Sequence, residues 1–318
     1  MLGNRLAKNA RHLGRWARRE AVSCLRLYDC DIPEIPLAVD RYGDALVVAW
    51  YAPEQPPDGL SPEAWLGVML DAIARTLETP RDRIFTRIRA PQRGAERYAR
   101  LAPAPTPAIV EEGGLRFEVD LAGHVDVGLF LDHRPLRAEV RGLSAGTDVL
   151  NLFCYTAAFS VHAAAGGARS TTSVDLNATY LAMARRNLEL NGFRDARQHP
   201  LIRADVLAWL ATTPATPAFD LAIVDPPTFS NSKKMAGIFD VQRDHVGLLD
   251  AVLRRMRPGG QVFFSTNHRR FRPDFEALPP RPRGSPGLTA VQEISARTVP
   301  PDFRDKRIHR AFHLALER

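Results

Sequence analysis

The most informative part of the chain reads Phe219-Asp220-Leu221-Ala222-Ile223-Val224-Asp225-Pro226-Pro227-Thr228-Phe229. Its first half is a short apolar run with the length and composition of a buried β-strand. The two prolines after Asp225 cannot donate backbone hydrogen bonds and disfavour a helix, so they hold the backbone extended with its carbonyls facing a pocket. We therefore predict a strand over residues 219–224 that ends at a polar site, where the ring of Phe229 can stack on a flat base.

On both sides of this stretch, apolar strands alternate with amphipathic helices at the spacing of a βαβ series. The other predicted strands cover residues 148–152, 171–175, 200–204 and 260–265, and the predicted helices cover 158–166, 177–190, 205–211 and 239–256. Two later β runs, 288–294 and 308–316, have no helix between them and predict an antiparallel hairpin at one sheet edge. The pattern predicts a Rossmann-like α/β domain, with a seven-stranded, mostly parallel sheet and helices on both faces.

The part of the chain before this series has a different character. Residues 4–19 form a predicted helix, and β runs at 24–28, 37–39 and 46–50 predict a small meander. A second helix is predicted over 62–78, with Ser61 as its cap. Because a proline-rich segment follows at 103–107, we expect a small α+β accessory domain over 1–107 and a catalytic domain over 108–318 that begins with a β hairpin around Gly113-Gly114.

Positive charge is concentrated at the start of the sequence. Lys+Arg of 43 against Asp+Glu of 36 gives a net charge of +7, and the first acidic residue, Glu20, follows a segment rich in Arg and Lys. These cations share one face of the predicted helix. A basic face that only meets solvent and a basic face that contacts RNA phosphates fit this pattern equally well.

Cysteine use and hydropathy limit the cellular setting. Cys24, Cys30 and Cys154 are an odd number without metal-ligand spacing, so we expect neither a disulfide framework nor a metal site. A reducing cytoplasm is the natural setting for such a chain. The sequence has no apolar run of about 18 residues, and its basic N-terminal segment has no signal-peptide core, so we expect neither membrane insertion nor secretion.

Polar residues follow the predicted strands where a parallel sheet binds its ligand, beyond the carboxyl ends. Asn151 ends the first strand and precedes a helix N-terminus that can meet a cofactor with backbone N–H groups. Asp175 can accept both ribose hydroxyls of a nucleoside or cap a helix, and Asp205 can accept an adenine amino group or cap the helix after it. The absence of Gly-x-Gly-x-x-Gly counts against NAD and FAD.

These strand ends resemble the motifs of the class I S-adenosylmethionine-dependent methyltransferases. The resemblance covers nearly the whole chain, from Asn4 to Leu316, and extends to the guanine-N7 half of the bifunctional large-subunit rRNA methyltransferases. The similar segments are Asn4-Arg5-Leu6, Arg26 through Asp29, Ala38 through Tyr42, Gly128 through Arg134, Asn151-Leu152-Phe153 with Tyr155-Thr156, Gly167 through Thr172, Asp225 through Lys233, and Phe239 through His245. The chain departs from the family in having Ala157-Ala158 where a glycine is common, and the fused parts of that family are not in this sequence.

The resemblance implies S-adenosylmethionine as the cofactor and large-subunit ribosomal RNA as the partner. It implies that Asp175 holds the ribose and Asp205 the adenine amine, and that Arg134 lies near the cofactor carboxylate. The full implied cofactor-binding set is Arg134, Asn151, Phe153, Tyr155, Thr156, Asp175, Leu176 and Asp205. The implied catalytic residues are Asp225, Pro226 and Phe229, and the basic residues expected to contact RNA are Arg5, Lys8, Arg11, Lys233, Lys234, Arg269 and Arg270.

The chemistry of base methylation narrows the choice of the modified atom. Methylation at carbon 5 of a pyrimidine needs a cysteine nucleophile, and no cysteine follows the strands ending at Asp225 or Ser265. An exocyclic amine of adenine or guanine needs an acceptor, which Asp225 can supply, whereas guanine N7 has an in-plane lone pair and needs only alignment. The residues leave N7 and an amine open, together with an inactive RNA-binding assembly factor, and the resemblance favours N7.

Overall fold

The computed structural model describes residues 1–51, 59–88, 105–123, 126–231, 237–280 and 287–318. The chain divides into two compact units, one of residues 1–131 with 301–305 and one of residues 132–300 with 306–318. The β hairpin that we assigned to the catalytic domain is part of the first unit. Our functional boundary at residue 107 stays a proposal.

The first unit is built on a four-stranded sheet. Its elements are α1 (Leu2–Arg19), β1 (Cys24–Asp29), β2 (Leu37–Tyr42), β3 (Ala45–Trp50), α2 (Pro62–Leu77) and β4 (Ile84–Ile88). The predicted meander is confirmed, since β1, β2 and β3 pair antiparallel in that order. The sequence analysis missed β4, which pairs parallel to β3 after the crossover through α2. A separate hairpin follows, formed by β5 (Pro107–Glu112) and β6 (Leu115–Asp120).

Both helices of the first unit follow from local sequence signals. In α1, Leu2, Leu6, Leu13 and Ala17 are buried, because they recur on one face of the helix. In α2, Ser61 Oγ accepts a hydrogen bond from the backbone N–H of Ala64 and so satisfies a donor that the first turn leaves unpaired. The helix ends at Leu77, one residue before our prediction.

The second unit contains a seven-stranded sheet with helices on both faces. Its elements are α3 (Arg134–Leu143), β7 (Asp148–Leu152), α4 (Ala158–Ala165), β8 (Ser170–Asp175), α5 (Ala178–Leu190), β9 (Leu201–Arg203), α6 (Val206–Thr212), β10 (Phe219–Val224), β11 (Phe229–Ser230), β12 (Phe239–Asp240), α7 (Val241–Leu253), β13 (Met256–Thr266), β14 (Leu288–Glu293), α8 (Ser295–Thr298) and β15 (Arg310–Leu316). The strand order is β14-β15-β13-β10-β7-β8-β9. This arrangement confirms the predicted fold class.

The strand order reverses at the centre of this sheet. From β7 the chain proceeds outward to β8 and β9, then returns to β10 on the other side of β7. Five strands of the sheet, β13, β10, β7, β8 and β9, are parallel. The predicted antiparallel pairing of the last two β runs is confirmed, and β15 also pairs antiparallel with β13. The expectation that no helix lies between these two runs was wrong, because the short helix α8 lies there. Connections on the two sides of the reversal leave toward opposite faces of the sheet, so a crevice opens between the carboxyl ends of β7 and β10.

The core fills both faces of the central strands. On one face, Leu150, Leu152, Ala222 and Val224 pack with residues of α6 and α7. On the other face, Val149, Leu221 and Ile223 pack with residues of α3 and α4. This double burial explains why β10 reads as a continuous apolar run, as strands of parallel sheets do.

Three element bounds differ from the prediction for identifiable reasons. The helix predicted over 239–256 covers 241–253, because Asp240 accepts hydrogen bonds from the N–H groups of Gln242 and Arg243 as its cap. The strand predicted over 260–265 begins at Met256. Its pairing with β10 shifts register, because Phe219 pairs with Met256 and Leu221 already pairs with Gln261, so β13 contains extra residues at this irregularity. The strand predicted over 200–204 is shorter, because Asp205 caps α6.

None of the helices within the described ranges has the length and apolar character needed to cross a bilayer.

The close approach of α3 and α4 gives a stability prediction. A methyl group on Gly166, which ends α4, would lie 2.0 Å from the carbonyl oxygen of Arg141 in α3. We expect Gly166→Ala to lower the free energy of unfolding by about 3 kcal/mol, because one of the two helices must move. Gly142→Ala, within α3 itself, meets no heavy atom within 4 Å; it should raise that free energy by about 0.5 kcal/mol through helix propensity. Urea denaturation measures both, and equal effects would contradict the prediction.

Candidate active site

The crevice between β7 and β10 brings the ends of four predicted strands to one edge of the sheet. Leu152 and Val224 are register partners at the ends of these two strands, so Phe153 and Asp225 follow them side by side. Asp175 ends β8, and Asp205 lies two residues after the end of β9. All four lie where open α/β sheets bind their ligands.

The loop after β7 has an unusual backbone. Phe153, Tyr155 and Ala157 have φ angles of 56°, 52° and 57°, in the left-handed region that side chains with a Cβ rarely adopt. Each such residue costs about 1 kcal/mol or more, and neighbouring contacts must hold it in place. The N–H of Cys154 donates to the carbonyl of Val174, and the buried Asn187 of α5 donates from Nδ2 to the carbonyl of Thr156. The position at which the family often has glycine, Ala157, is one of the three strained positions.

Asp175 connects this loop to the start of the next helix. Its Oδ2 accepts from the N–H of Tyr155 at 2.9 Å, and its Oδ1 accepts from the N–H of Asn177 at 2.8 Å. Burial raises the pKa of Asp175, although these backbone N–H groups oppose the rise. A carboxylate offers about four acceptor positions, so two remain for donors such as ribose hydroxyls. The donor and acceptor chemistry of this site therefore fits a nucleoside.

Helix capping at this edge is divided between neighbouring residues. Asn177, not Asp175, caps α5, since its Oδ1 accepts from the N–H groups of Thr179 and Tyr180. Asp205 Oδ1 accepts from the N–H groups of Leu207 and Ala208 and caps α6. Asp205 thus has the capping role that the sequence analysis left open, and contact with adenine stays a proposal for it. Leu176 lies half-buried between Asp175 and the cap.

Asn151 lies inside the sheet rather than at its surface. It is 2% exposed, and its Nδ2 donates to Ser160 Oγ at 2.8 Å. Ser160 Oγ is in turn 2.7 Å from Ser173 Oγ on β8. This buried polar chain joins β7, α4 and β8 directly beneath the strained loop. A role for Asn151 beside the methionine part of a cofactor stays a proposal.

Asp225 is held from two sides at the end of β10. Ser265, near the end of β13, donates from Oγ to Asp225 Oδ1 at 2.6 Å. On the other side, Nε2 of His133 lies 3.7 Å from Asp225 Oδ2. The Asp225 side chain keeps 31% of its surface exposed, so it can also meet a ligand.

The residues after Asp225 form one wall of the crevice. Pro226 is buried, and the ring of Phe229 is 47% exposed, as a stacking surface requires. Thr228 Oγ1 donates to Asn267 Oδ1 and so ties this segment to the loop after β13. The strand β11 pairs with β12, and the ring of Phe239 on β12 lies 5.9 Å from that of Phe153 in the strained loop.

The predicted basic residues divide into three groups. Arg134, at the start of α3, is 9% exposed. The others within the described residues are exposed, namely Arg5, Lys8 and Arg11 of the first unit and Arg269 and Arg270 of the second. Lys233 and Lys234 lie outside the described residues.

Comparison with known proteins decides the family. A model of the S-adenosylmethionine-dependent methyltransferases matches residues 33–314. The chain belongs to this family. As a family member it uses S-adenosylmethionine as its cofactor, which agrees with the cofactor implied by the strand ends.

Solved structures support the same fold for this methyltransferase. A protein assigned provisionally as a methyltransferase, and crystallised with S-adenosylhomocysteine, aligns with a TM-score of 0.77 at 24% identity, covering 99% of this chain and 80% of that one. The S-adenosylmethionine-dependent methyltransferase from Agrobacterium tumefaciens aligns with a TM-score of 0.58 at 18% identity, covering 89% and 87%. At these identities the likeness concerns the fold alone.

Relatives that are closer in sequence are longer proteins. The ribosomal RNA large subunit methyltransferase K/L of Pseudomonas putida is 50% identical over 317 residues, which is 99% of this chain and 42% of the relative. The protein of the same name from Pseudomonas aeruginosa is 48% identical over 317 residues, with the same coverage. This methyltransferase chain therefore spans about two fifths of the length of these relatives.

Three supporting residues of the site were missed by the sequence analysis. Asn187 was taken only as part of a helix, although its side chain holds the strained loop. Ser265 was noted only for not being a cysteine, and His133 was quoted in the motif segment with no role assigned. Each of them acts on a residue that is distant in sequence, so the local pattern carries no signal for it.

Substitution of Asp175 tests the cofactor site. Asp175→Asn keeps the size of the side chain but removes its charge, and hydrogen bonds to charged groups contribute about 1.5–3 kcal/mol. We expect the Kd for S-adenosylhomocysteine in calorimetric titration to rise by about 10-fold or more. The matched control is Asp195→Asn, at an exposed carboxylate that accepts from the N–H of Arg197, and it should leave the Kd unchanged.

The same titration has an expected pH dependence. Because burial raises the pKa of Asp175, acidification protonates this carboxylate at pH values above those of an ordinary aspartate, near 3.9. Affinity of the wild-type protein should therefore weaken as the pH falls through this range, while that of Asp175→Asn stays flat. Parallel curves for the two proteins would show that Asp175 does not bind the ribose.

Proposed function

We propose that this chain transfers a methyl group from S-adenosylmethionine to N7 of a guanine in large-subunit ribosomal RNA. The observation that carries the proposal is the identity of 48–50% along almost the entire chain with the large-subunit methyltransferases K/L. Because the chain spans about two fifths of those proteins, both the substrate and the modified atom are part of the proposal.

The arrangement around Asp225 and Phe229 supports a base-modifying reaction. A half-exposed aromatic ring next to a partly exposed carboxylate can stack on a base and accept hydrogen bonds from its N–H groups. Both residues follow β10, and Asp175 ends β8 on the other side of β7. A base and a nucleoside cofactor would thus meet across the crevice at the centre of the sheet.

Methyl transfer to N7 does not require the protein to remove a proton from the base, because N7 already has a lone pair. When bound, S-adenosylmethionine supplies a methyl group activated by a sulfonium. The bond from methyl carbon to N7 forms as the carbon–sulfur bond breaks, and the positive charge passes from sulfur to the base. The protein must align the base and stabilise this charge, which the carboxylate of Asp225 can do through orientation and electrostatics.

The cysteines of the chain do not fit carbon-5 methylation. Such a reaction needs a thiolate beside the pyrimidine ring. Cys154, in the loop after β7, is 6% exposed, and burial raises the pKa of its thiol well above the ordinary value. All three cysteines are free thiols, in keeping with the reducing cytoplasm that we propose as the setting.

Basic surfaces in both units support RNA as the substrate. On α1, six exposed cations lie opposite the buried apolar face, namely Arg5, Lys8, Arg11, Arg15, Arg18 and Arg19. In the second unit, Arg269 and Arg270 are exposed just after the loop that holds Thr228. Contacts of this type with phosphates supply most of the sequence-independent affinity for nucleic acids.

A second candidate is methylation of an exocyclic amine, N2 of guanine or N6 of adenine. Such a reaction releases a proton, and the carboxylate of Asp225 offers an acceptor for it. The product distinguishes this candidate from N7 methylation.

The proposal is tested by incubating the protein and tritiated S-adenosylmethionine with deproteinised, unmodified large-subunit rRNA. Borohydride reduction followed by aniline cleaves RNA at 7-methylguanosine, so we expect tritium in the RNA and one new cleavage site. Asp225→Asn, which loses the charge, should abolish both signals. Labelled RNA without a new cleavage site would reject N7 in favour of an amine, and unlabelled RNA with intact cofactor binding would reject the enzyme activity.

Phe229 is expected to act on the base and not on the cofactor. Stacking of a base on an aromatic ring contributes about 1–3 kcal/mol, so Phe229→Ala should lower kcat/KM for RNA by about 10-fold or more. Phe229→Trp retains a stacking surface and should keep most of the activity, whereas Phe229→Leu should not. The Kd for S-adenosylhomocysteine, measured by calorimetry, should be the same in all three variants, and a parallel loss of affinity would assign Phe229 to the cofactor pocket.

A further inference from the structure

Behind Asp225 lies a pair of buried histidines, His133 and His309, which we call the histidine pair. Their rings stack with centroids 4.4 Å apart and an angle of 12° between the planes. His133 is 6% exposed and His309 is 1% exposed. His133 precedes α3 and His309 precedes β15, so the fold brings them together from distant parts of the second unit.

His309 is the fixed member of the pair. Its Nδ1 lies 3.0 Å from Oδ2 of Asp132, and its Nε2 lies 3.0 Å from Oγ1 of Thr298. Because an ionised carboxylate can only accept, the proton is on Nδ1. Burial by itself would raise the pKa of Asp132, but the adjacent His133 and the hydrogen bond from His309 outweigh it and hold the pKa well below the usual range.

His133 is placed by packing on both sides. One face of its imidazole stacks on His309, and Phe159 of α4 meets it edge-on at 5.8 Å. Its Nδ1 is buried and has no hydrogen-bond partner within the described part of the chain. Its Nε2 lies 3.7 Å from Oδ2 of Asp132 and 3.7 Å from Oδ2 of Asp225. Nε2 is therefore the ring nitrogen that lies near both carboxylates, at distances somewhat longer than a hydrogen bond.

The charge of His133 follows from its surroundings. Burial lowers the pKa of the imidazole, against the opposing effect of the carboxylates of Asp132 and Asp225. An imidazole with a proton on Nε2 can attract both carboxylates, each of which lies 3.7 Å from this nitrogen. A cationic side chain at this place would neutralise the charge that the methylated, cationic base requires.

We propose that His133, supported by His309, is a positioning residue that fixes the carboxylate of Asp225 for the RNA base. Ser265 holds Oδ1 and His133 approaches Oδ2, so the plane of the carboxylate is set from both ends. The Asp225 side chain keeps 31% of its surface exposed, which leaves acceptor positions for a base. The inference rests on the proposed function, because it presumes that Asp225 meets the base.

Metal ions in proteins are often bound by the side-chain types found in this group, Asp132, His133 and His309. One potential ligand atom from each of the three lies within 4.8 Å of the others. In the described arrangement, however, His309 Nδ1 carries the proton that it donates to Asp132, so this nitrogen has no lone pair for a metal ion. Hydrogen bonding and stacking account for the contacts of His309. We therefore assign the group to positioning.

The test compares His133→Leu, which removes the polar nitrogen, with His133→Gln, which places an amide N–H near the position of Nε2. A displaced catalytic group typically costs a large factor in rate, so His133→Leu should lower kcat by about 10-fold or more with an unchanged KM for RNA. His133→Gln should recover most of kcat. The Kd for S-adenosylhomocysteine should stay within about twofold of wild type in both variants, because Asp225 is not assigned to the cofactor.

A matched control is His199→Gln, at another buried histidine. Nδ1 of His199 lies 2.9 Å from Oγ1 of Thr171. Thr171 is near the beginning of β8, so this contact lies at the amino ends of the parallel strands, away from the crevice at their carboxyl ends. This variant should keep kcat. Thermal unfolding of each variant shows whether a loss of activity reflects loss of fold, and if His133→Leu does not fold, the comparison of His133→Gln with His133→Asn, whose shorter amide does not reach the Nε2 position, replaces it.

Each possible failure has a distinct result. The proposed function fails if the wild-type protein makes no 7-methylguanosine. With that activity present, the positioning role fails if folded His133→Leu keeps the wild-type kcat, or if it loses affinity for S-adenosylhomocysteine to the same extent as kcat. Loss of wild-type activity on dialysis against EDTA, with recovery on addition of Zn²⁺, would also overturn it and assign the group to a metal.

Discussion

The parallel pairing of β7 with β10 is the constraint on which the catalytic unit depends. These two strands are neighbours, but the chain leaves them toward opposite sides of the sheet, so a crevice opens between their carboxyl ends. Register then fixes what lies there, since Leu152 pairs with Val224 and the next residues are Phe153 and Asp225. The strained loop after β7 and the segment that begins at Asp225 are adjacent because of this one pairing.

Side-chain hydrogen bonds hold the strained loop after β7 and the end of β10 in positions that backbone pairing within the sheet does not fix. The loop after β7 tolerates three residues with left-handed backbone angles, because two side chains hold its backbone. Asp175 accepts a hydrogen bond from the N–H of Tyr155, and Asn187 donates one to the carbonyl of Thr156. Strain of this kind is typical of sites where backbone N–H groups must face a ligand. On the other side of the crevice, Ser265 and Asn267 tie the end of β10 to the loop after β13.

Much of this architecture was predictable because its signals are local. The strand β10 is marked by its apolar run, α5 by Asn177 at its start, and the hairpin of β5 and β6 by Gly113-Gly114. By contrast, α3 was missed because its buried face includes Arg134 and Arg137, which interrupt the apolar periodicity. The strand β4 was missed because its partner β3 precedes it by a whole crossover.

The supporting residues of the site could not be predicted from local sequence patterns, because their contacts are also long-range. Asp132 and His309 form a hydrogen bond across a separation of 177 residues, and the sequence around either residue contains no signal that predicts the contact. The carboxylates were easier, because each lies at or within two residues of the end of a strand. Sequence alone therefore predicted candidate residues at the strand ends, and left out the residues that contact them from distant parts of the chain.

The contact between Gly166 and the carbonyl of Arg141 has a consequence for alignment as well as for packing. Arg141 and Arg134 lie at opposite ends of α3, about 10 Å apart at 1.5 Å per residue, and His133 immediately precedes Arg134. A Cβ at the end of α4 would displace α3 from its present position, and the start of α3 adjoins His133. The glycine at residue 166 therefore permits the helix position from which His133 lies beside Asp225.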